Sequence, residues 1–327
     1  MGRIGIVGYG NLGRGIECAI RQNSDMKLTA VFTRRDPADL GILTPGVPVI
    51  PIETAHLWKG RIDVMILCGG SADDLPVMSP RFARIFHVVD SFDNHASIPE
   101  HYAAVDQAAR ESGHVALISA GWDPGLFSVQ RLLGDAILPE GETYTFWGRG
   151  VSQGHSQAIR CIPGVTDARQ YTIPKEEVLR QIRSGETPHL TPQEMHQRHC
   201  VVVAEDGADR TEIEAAIKAM PNYFAGYDTA VEFVGRETLL HEHGGLPHGG
   251  TVIRSGRTGW MEECHQTMEF RLKLESNAQF TAFVLVAFAR AVLRLSARGE
   301  SGCKTVFDLA PSDLSSMSGE ELMRKFL

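Results

Sequence analysis

The chain has 327 residues, 43% of them hydrophobic, and a formal net charge of −8 at neutral pH. This length and apolar content suit two domains, each with its own core. The acidic balance argues against nucleic acid or an anionic membrane as the main partner, so we expect a small-molecule ligand.

The first predicted strand, residues 4–7, leads into the turn Gly8–Gly13, which has the pattern GxGxxG. Apolar residues at helical spacing follow and predict a helix over residues 11–22. In a dinucleotide-binding turn the first glycine permits the sharp bend, the second lets the backbone approach a pyrophosphate, and the third allows close helix packing. The cofactor residues predicted here are Tyr9, Gly10, Asn11 and Leu12.

The second predicted strand, residues 28–33, ends in Thr33-Arg34-Arg35. Many NAD-binding proteins carry an acidic residue at this point, where it accepts a hydrogen bond from the ribose 2′-hydroxyl. Two guanidinium groups and a hydroxyl suit a 2′-phosphate instead. The sequence therefore favours NADP(H) over NAD(H), and the alternative is that the two arginines form a solvated turn.

Three further strand-like runs, at residues 63–68, 87–90 and 115–119, and a helix around 99–112 continue the alternation. This order predicts a doubly wound, Rossmann-like parallel sheet of the α/β class. Because ligands of such sheets gather beyond the carboxyl ends of the strands, the loops there should line the nicotinamide site. The cofactor residues predicted on these loops are Cys68, Gly69, Gly70, Ser71, Ser91, Phe92, Asp93, Ala120, Gly121, Trp122, Asp123 and Pro124.

After about residue 138 the sequence pattern changes to longer segments in which apolar and polar residues alternate. These segments predict a mostly antiparallel sheet in an α+β domain. These segments are residues 144–147, 198–204, 229–234 and 264–274. Residues 175–197 are predicted to form a helix and an exposed loop within this domain.

A closing helix over about 278–298 is apolar, but Arg290 and Arg294 interrupt it, so we interpret it as a buried or interface helix and not a membrane span. We expect a dinucleotide-binding domain at residues 1–120, completed by 278–327. Residues 121–277 should form the substrate-binding and dimerisation domain.

Asp93 and Asp123 stand on two of the strand-end loops and could face one substrate. Two carboxylates beside a nicotinamide suit an ammonium substrate, because hydride leaves an amino-acid α-carbon only after the nitrogen has lost a proton. Each aspartate could instead cap a helix N-terminus. For Asp123, which Pro124 follows, both roles stay open.

Two glycine-rich segments could serve the substrate. Residues 146–156 combine backbone amides that suit a carboxylate with Trp147 as a wall, although a simple strand-to-helix turn would look the same. Residues 247–250 present His248, which is either an anion ligand or a structural histidine. Its neighbours show no convincing zinc-binding pattern.

Seven motifs, in order along nearly the whole chain, resemble those of the meso-diaminopimelate dehydrogenase family. They are Gly8–Arg14, Thr33–Arg35, Asp90–His95, Gly121–Gly125, Ser152–Ser156, Ile162–Val165 and Pro247–Gly250. The resemblance implies NADP-dependent oxidative deamination of meso-2,6-diaminopimelate at its D-centre to L-2-amino-6-oxopimelate, ammonia and NADPH. It also implies the reverse reaction, a place in diaminopimelate and lysine biosynthesis, and a homodimer.

By the same resemblance, Asp93 and Asp123 would hold the reacting amino group and Trp147 would shape the pocket. Gln153 and Gly154 would bind the D-centre carboxylate. The distal L-centre would be held by Thr172, Arg198, His248 and Asn277. Of these, Arg198 is also suggested by chemistry alone, because its guanidinium can hold a carboxylate with two hydrogen bonds.

Two alternatives stay open: a non-catalytic NADP(H)-sensing protein on the same fold, and a related NADP-dependent D-amino-acid dehydrogenase. The first residues lead directly into the predicted strand without a signal peptide, so we expect a cytoplasmic protein. The six cysteines show neither CxxC nor zinc-like spacing. We expect them to be reduced and mostly buried, with no bound metal.

Overall fold

The computed structural model describes all 327 residues, which form two compact units. The first unit contains Met1–Val129 and Ala278–Leu327, and the second contains Gln130–Asn277. The elements up to residue 117 are β1 (Gly2–Val7), α1 (Asn11–Arg21), β2 (Met26–Thr33), β3 (Val49–Pro51), β4 (Val64–Leu67), α2 (Leu75–Ala83), β5 (His87–Asp90), α3 (Ile98–Ser112) and β6 (Val115–Leu117).

Further elements follow over residues 126–274: α4 (Leu126–Ile137), β7 (Gly141–Trp147), β8 (Gly150–Val151), α5 (Gln153–Arg160), β9 (Val165–Pro174), α6 (Glu176–Arg183), α7 (Pro192–Met195), β10 (His196–Ala204), α8 (Arg210–Ala219), β11 (Asp228–Phe233), α9 (Arg236–His243), β12 (His248–Thr258) and β13 (Cys264–Leu274). The chain ends with α10 (Asn277–Ala297), β14 (Gly302–Lys304) and α11 (Gly319–Phe326).

The first unit is built on a seven-stranded parallel sheet with the order β14-β6-β5-β4-β1-β2-β3. Its central strands are fully buried because α1 and α10 cover one face and α2 and α3 cover the other. The predicted Rossmann-like sheet is confirmed. The sequence reading missed β3 and β14, since three-residue strands carry almost no periodic signal.

Helix α10 is long and apolar enough to cross a bilayer, but 56% of its most apolar window is buried inside the protein. Its side chains Leu285 and Phe288 belong to the core beneath the sheet. Arg290 on the same helix is also buried, and its guanidinium group donates hydrogen bonds to Asp25 at 2.6 Å and to the carbonyl of Leu314 at 2.7 Å. The prediction of a buried helix is confirmed.

The second unit contains two sheets, so the expectation of one mostly antiparallel sheet was wrong. In the order β11-β10-β9-β8 only β10 and β11 run parallel, and β13-β12-β7 is wholly antiparallel. Alternation along a strand identifies its buried face but not its partner. The predicted helix and exposed loop between residues 175 and 197 are confirmed, as α6, an irregular stretch and α7.

All six cysteines are free. The prediction that most are buried was wrong, because only Cys200 and Cys303 are. The two exposed cysteines stand where elements meet solvent: Cys161 directly follows α5, and Cys264 begins the edge strand β13.

Candidate active site

The glycine turn between β1 and α1 has the geometry that a dinucleotide phosphate needs. Gly8 adopts φ +91°, which strains any other residue, and a Cβ on Gly13 would lie 2.3 Å from the carbonyl oxygen of Gly8. In contrast, a Cβ on Gly10 would meet nothing within 4 Å. Helix α1 begins after Gly10 with no side-chain cap and no acidic residue in its first turn. Its positive end is therefore open to an anion, and the residues present fit a pyrophosphate.

The segment Thr33–Arg35 lies against two other predicted cofactor segments. Arg35 donates from Nη2 to the carbonyl of Tyr9 at 2.5 Å, and Arg34 pairs with Asp74 at 2.8 Å. Asp74 also accepts a 3.0 Å hydrogen bond from the amide of Gly70. Both arginines are exposed residues, which fits binding of a 2′-phosphate.

The hydroxyl of Thr33 has a different role in this structure. It is buried and accepts the backbone N–H of Arg35 at 3.0 Å. Thr33 therefore shapes the turn that presents the two arginines.

The two aspartates follow strands of the same parallel sheet. Asp93 is exposed beyond β5, and its backbone N–H donates to the Ser71 hydroxyl at 3.1 Å. Asp123 is half-buried beyond β6. Neither immediately precedes a helix, because a 3-10 turn begins at His95 after Asn94 and α4 begins at Leu126.

In the second unit, Thr172 on β9 pairs across the sheet with Arg198 on β10. Nη1 of the buried Arg198 donates to the Thr172 hydroxyl, and its guanidinium carbon lies 4.1 Å from the ring centroid of Tyr227. Burial lowers the pKa of the Arg198 guanidinium, and the Tyr227 hydroxyl opposes that shift. The Nε of Arg198 is buried without a hydrogen-bond partner.

His248 lies next to this pair. A Cβ on Gly150 would lie 2.6 Å from Cγ of His248, so the imidazole packs directly on the backbone of β8. Gly150 in turn pairs with Thr172. Asn277 is close in the same unit, because its backbone N–H donates to Leu246 at 3.2 Å, two residues before His248.

Gln153 and Gly154 form the first turn of α5, directly after β8. Both are exposed, and Ser152 caps the helix by accepting the N–H of His155. The amide of Ser152 donates to the carbonyl of Gln170 at 2.9 Å, which places this helix end beside β9. The open amides of the first turn can receive a carboxylate.

Trp147 ends β7, and its backbone N–H donates to Nε2 of His196. Burial lowers the pKa of His196 to about 4, so the ring is neutral at physiological pH. Sequence reasoning missed both His196 and Tyr227. A signal for His196 existed, because it lies two residues before Arg198 on one strand and therefore on the same face.

The structure thus brings Trp147, Gln153, Gly154, Thr172, Arg198, His248 and Asn277 onto connected segments of one unit. No three His, Cys, Asp or Glu side chains are grouped so as to hold a metal ion.

Comparison with known proteins decides the family. Residues 121–276 match the model described as the diaminopimelic acid dehydrogenase C-terminal domain. The chain is 57% identical over 326 residues to a meso-diaminopimelate D-dehydrogenase from Ureibacillus thermosphaericus, and the alignment covers 99% of both chains. The chain belongs to the meso-diaminopimelate D-dehydrogenase family.

Solved structures agree. A meso-diaminopimelate dehydrogenase mutant from Clostridium tetani E88, crystallised with DAP, is 51% identical and superposes with a TM-score of 0.93 over 99% of each chain. An engineered D-amino acid dehydrogenase bound to NADP⁺ is 43% identical, with a TM-score of 0.86 over 100% of this chain and 99% of that one. The family resemblance inferred from seven motifs is confirmed, whereas the roles of individual residues stay predictions.

Proposed function

We propose that this protein catalyses the NADP-dependent oxidative deamination of meso-2,6-diaminopimelate at its D-centre. The products are L-2-amino-6-oxopimelate, ammonia and NADPH, and the reaction is reversible. The observation that carries this proposal is the 57% identity to a meso-diaminopimelate D-dehydrogenase over 99% of both chains. The comparisons favour neither a non-catalytic NADP(H) sensor nor a D-amino-acid dehydrogenase of other specificity.

The first unit supplies the cofactor site. The open end of α1 and the turn at Gly10 receive the pyrophosphate, and Arg34 and Arg35 bind the 2′-phosphate. When bound there, NADP⁺ would supply the acceptor for the hydride of the D-centre carbon. The loops after β4, β5 and β6 supply the remaining cofactor contacts, through Cys68–Ser71, Ser91–Asp93 and Ala120–Pro124.

Asp93 and Asp123 act on the reacting nitrogen. Their carboxylates accept hydrogen bonds from the ammonium group, orient it, and let one proton leave before the C–H bond breaks. Loss of hydride then leaves a cationic C=N group that a carboxylate stabilises. Water adds to that carbon and ammonia departs, which leaves the 6-oxo group.

The second unit binds the rest of the substrate. The first-turn amides of α5, at Gln153 and Gly154, receive the D-centre carboxylate, and Trp147 forms a wall. Thr172, Arg198, His248 and Asn277 bind the distal L-centre. A fixed cation in a buried setting is favourable for a carboxylate, and the unpaired Nε of Arg198 supplies a further donor.

We also propose a cytoplasmic homodimer. Six free cysteines suit a reducing compartment. Light scattering after size exclusion tests the dimer: a mass near twice 35.9 kDa is expected, and a mass near 35.9 kDa contradicts it.

The activity is tested by mixing the purified protein with meso-diaminopimelate and NADP⁺ and following absorbance of the reduced nicotinamide. We expect reduction with the meso isomer and little with the LL-isomer, which lacks a D-centre. Comparable rates with simple D-amino acids would indicate a broader dehydrogenase. Cofactor binding without turnover of any substrate would indicate a sensor.

A further inference from the structure

One completely buried carboxylate connects the two loops that carry Asp93 and Asp123. Asp90, the last residue of β5, accepts the backbone N–H groups of Phe92 and Ser119 on Oδ1, each at 3.0 Å. The carbonyl of Asp90 also accepts the N–H of Ala120 at 2.9 Å. Phe92 immediately precedes Asp93, and Ser119 and Ala120 begin the segment that leads to Asp123.

The other carboxylate oxygen faces the helices. Oδ2 accepts the hydroxyl of Ser79 on α2 at 2.5 Å and Nε2 of His101 on α3 at 2.8 Å. The His101 ring also stacks on Phe92, with centroids 4.1 Å apart. All four acceptor positions of the carboxylate are therefore used, as a buried charge requires.

The loop at Ser119 needs such support. Ser119 adopts φ +54°, a left-handed conformation that is unfavourable for a non-glycine residue. A strained backbone persists only where its surroundings hold it. Here the hydrogen bond to Oδ1 of Asp90 holds it in place.

We infer that Asp90 is a positioning residue that sets the spacing between the carboxylates of Asp93 and Asp123. This inference rests on the proposed function. Asp90 touches neither substrate nor cofactor, since its side chain has no exposed surface. Its hydrogen bonds go to both catalytic loops and to the two helices beneath them, so a change at one atom moves both aspartates.

The test is Asp90→Asn in the full-length protein. The amide keeps the volume and one oxygen, but its NH₂ group can accept from neither Ser79 nor His101. We expect kcat with meso-diaminopimelate to fall by about 10- to 100-fold, the range that a displacement near 1 Å produces. Asp25→Asn, which weakens the Arg290 ion pair of the same unit, is the control: a lower unfolding midpoint with unchanged kcat.

A double-mutant cycle separates positioning from general stability. If Asp90 acts through the aspartates, Asp90→Asn should lower kcat by less than about threefold when Asp123→Asn is already present. Additive losses, or an unchanged kcat in the single variant, would overturn the inference. Should Asp90→Asn fail to fold, Ser79→Ala removes one bond to Oδ2 and should lower kcat about threefold alone but leave it unchanged when Asp123→Asn is already present. An inactive wild type would refute the proposed function before any variant is measured.

Discussion

The backbone N–H of Trp147 donates to Nε2 of His196 at 3.0 Å, and the two rings stack with centroids 5.6 Å apart. The other ring nitrogen, Nδ1, donates to the carbonyl of Pro192 at 3.0 Å. In this neutral tautomer His196 contacts Trp147 in two ways: it accepts the Trp147 backbone N–H, and its ring stacks on the Trp147 indole. The proposed wall of the substrate pocket therefore depends on a histidine that does not itself need to touch substrate.

Replacing His196 with Phe should keep the ring stacking and remove the acceptor for Trp147. We expect KM for meso-diaminopimelate to rise by roughly three- to tenfold, the value of one net hydrogen bond, with KM for NADP⁺ unchanged. Steady-state kinetics measures both. His199→Phe, on the opposite face of the same strand, is the matched control and should change neither value. Equal effects of His196→Phe and His199→Phe would contradict the role of His196 in supporting Trp147.

Two glycines of the first turn should respond differently to alanine. Gly13→Ala places a Cβ 2.3 Å from a backbone oxygen, so the free energy of unfolding should fall by about 1–3 kcal/mol. Gly10→Ala meets open space, so the fold should lose less than about 1 kcal/mol. Calorimetric titration should nevertheless show NADP⁺ affinity at least tenfold weaker for Gly10→Ala, because the methyl group occupies the phosphate approach. Unaltered binding would place the pyrophosphate elsewhere.

The joint replacement of Arg34 and Arg35 with Ala should abolish the preference for NADP⁺. Two charge-assisted hydrogen-bonding groups are lost, so KM for NADP⁺ should rise at least tenfold while KM for NAD⁺ changes little. Arg84→Ala, an exposed arginine on the same unit, is the control. A retained preference for NADP⁺ would mean that the two arginines form only a solvated turn.

Arg198→Lys should weaken substrate binding although it keeps the charge. The lysine ammonium cannot stack on the Tyr227 ring as the planar guanidinium does, and it cannot keep the same hydrogen bond to the Thr172 hydroxyl. We expect KM for meso-diaminopimelate to increase at least tenfold, with no effect on NADP⁺ binding. Arg160→Lys, at the far end of α5, should leave both values unchanged. Loss of kcat alone, at constant KM, would argue against a role in binding the distal end.

Three histidines, the buried His196 and the half-buried His87 and His155, should make the fold sensitive to acid. Burial lowers the pKa of His87, His155 and His196 to about 4, well below the usual 6.5. As pH falls, these histidines are therefore protonated in the unfolded chain before they are protonated in the folded one. The free energy of unfolding keeps its full value above about pH 6.5 and decreases as pH falls toward 4. Each histidine contributes up to about 1.4 kcal/mol per pH unit in this window. Urea unfolding at pH 7.5, 6 and 5 measures the slope, and a constant free energy of unfolding would refute the prediction.

Much of the first unit was predictable because its signals are local. The strands at residues 4–7 and 87–90 and the helix after Gly10 each show a periodicity that short-range sequence reveals. The partner of β12 on its other side was not predictable: β13 follows β12 in a hairpin, but β7 pairs with β12 across a long stretch of intervening chain. Alternating residues specify a face, and only packing selects the partner.

The sequence by itself determined the family, the parallel nucleotide-binding sheet and the preference for NADP(H), because contiguous motifs carry each of them. Only the tertiary structure decided that His196 supports Trp147, that Tyr227 lies under Arg198, and that Asp90 connects the segments before Asp93 and Asp123. These pairs are formed by strand register and buried hydrogen bonding between residues far apart in the chain. No local pattern encodes such contacts, because each depends on where the whole core places the two backbones.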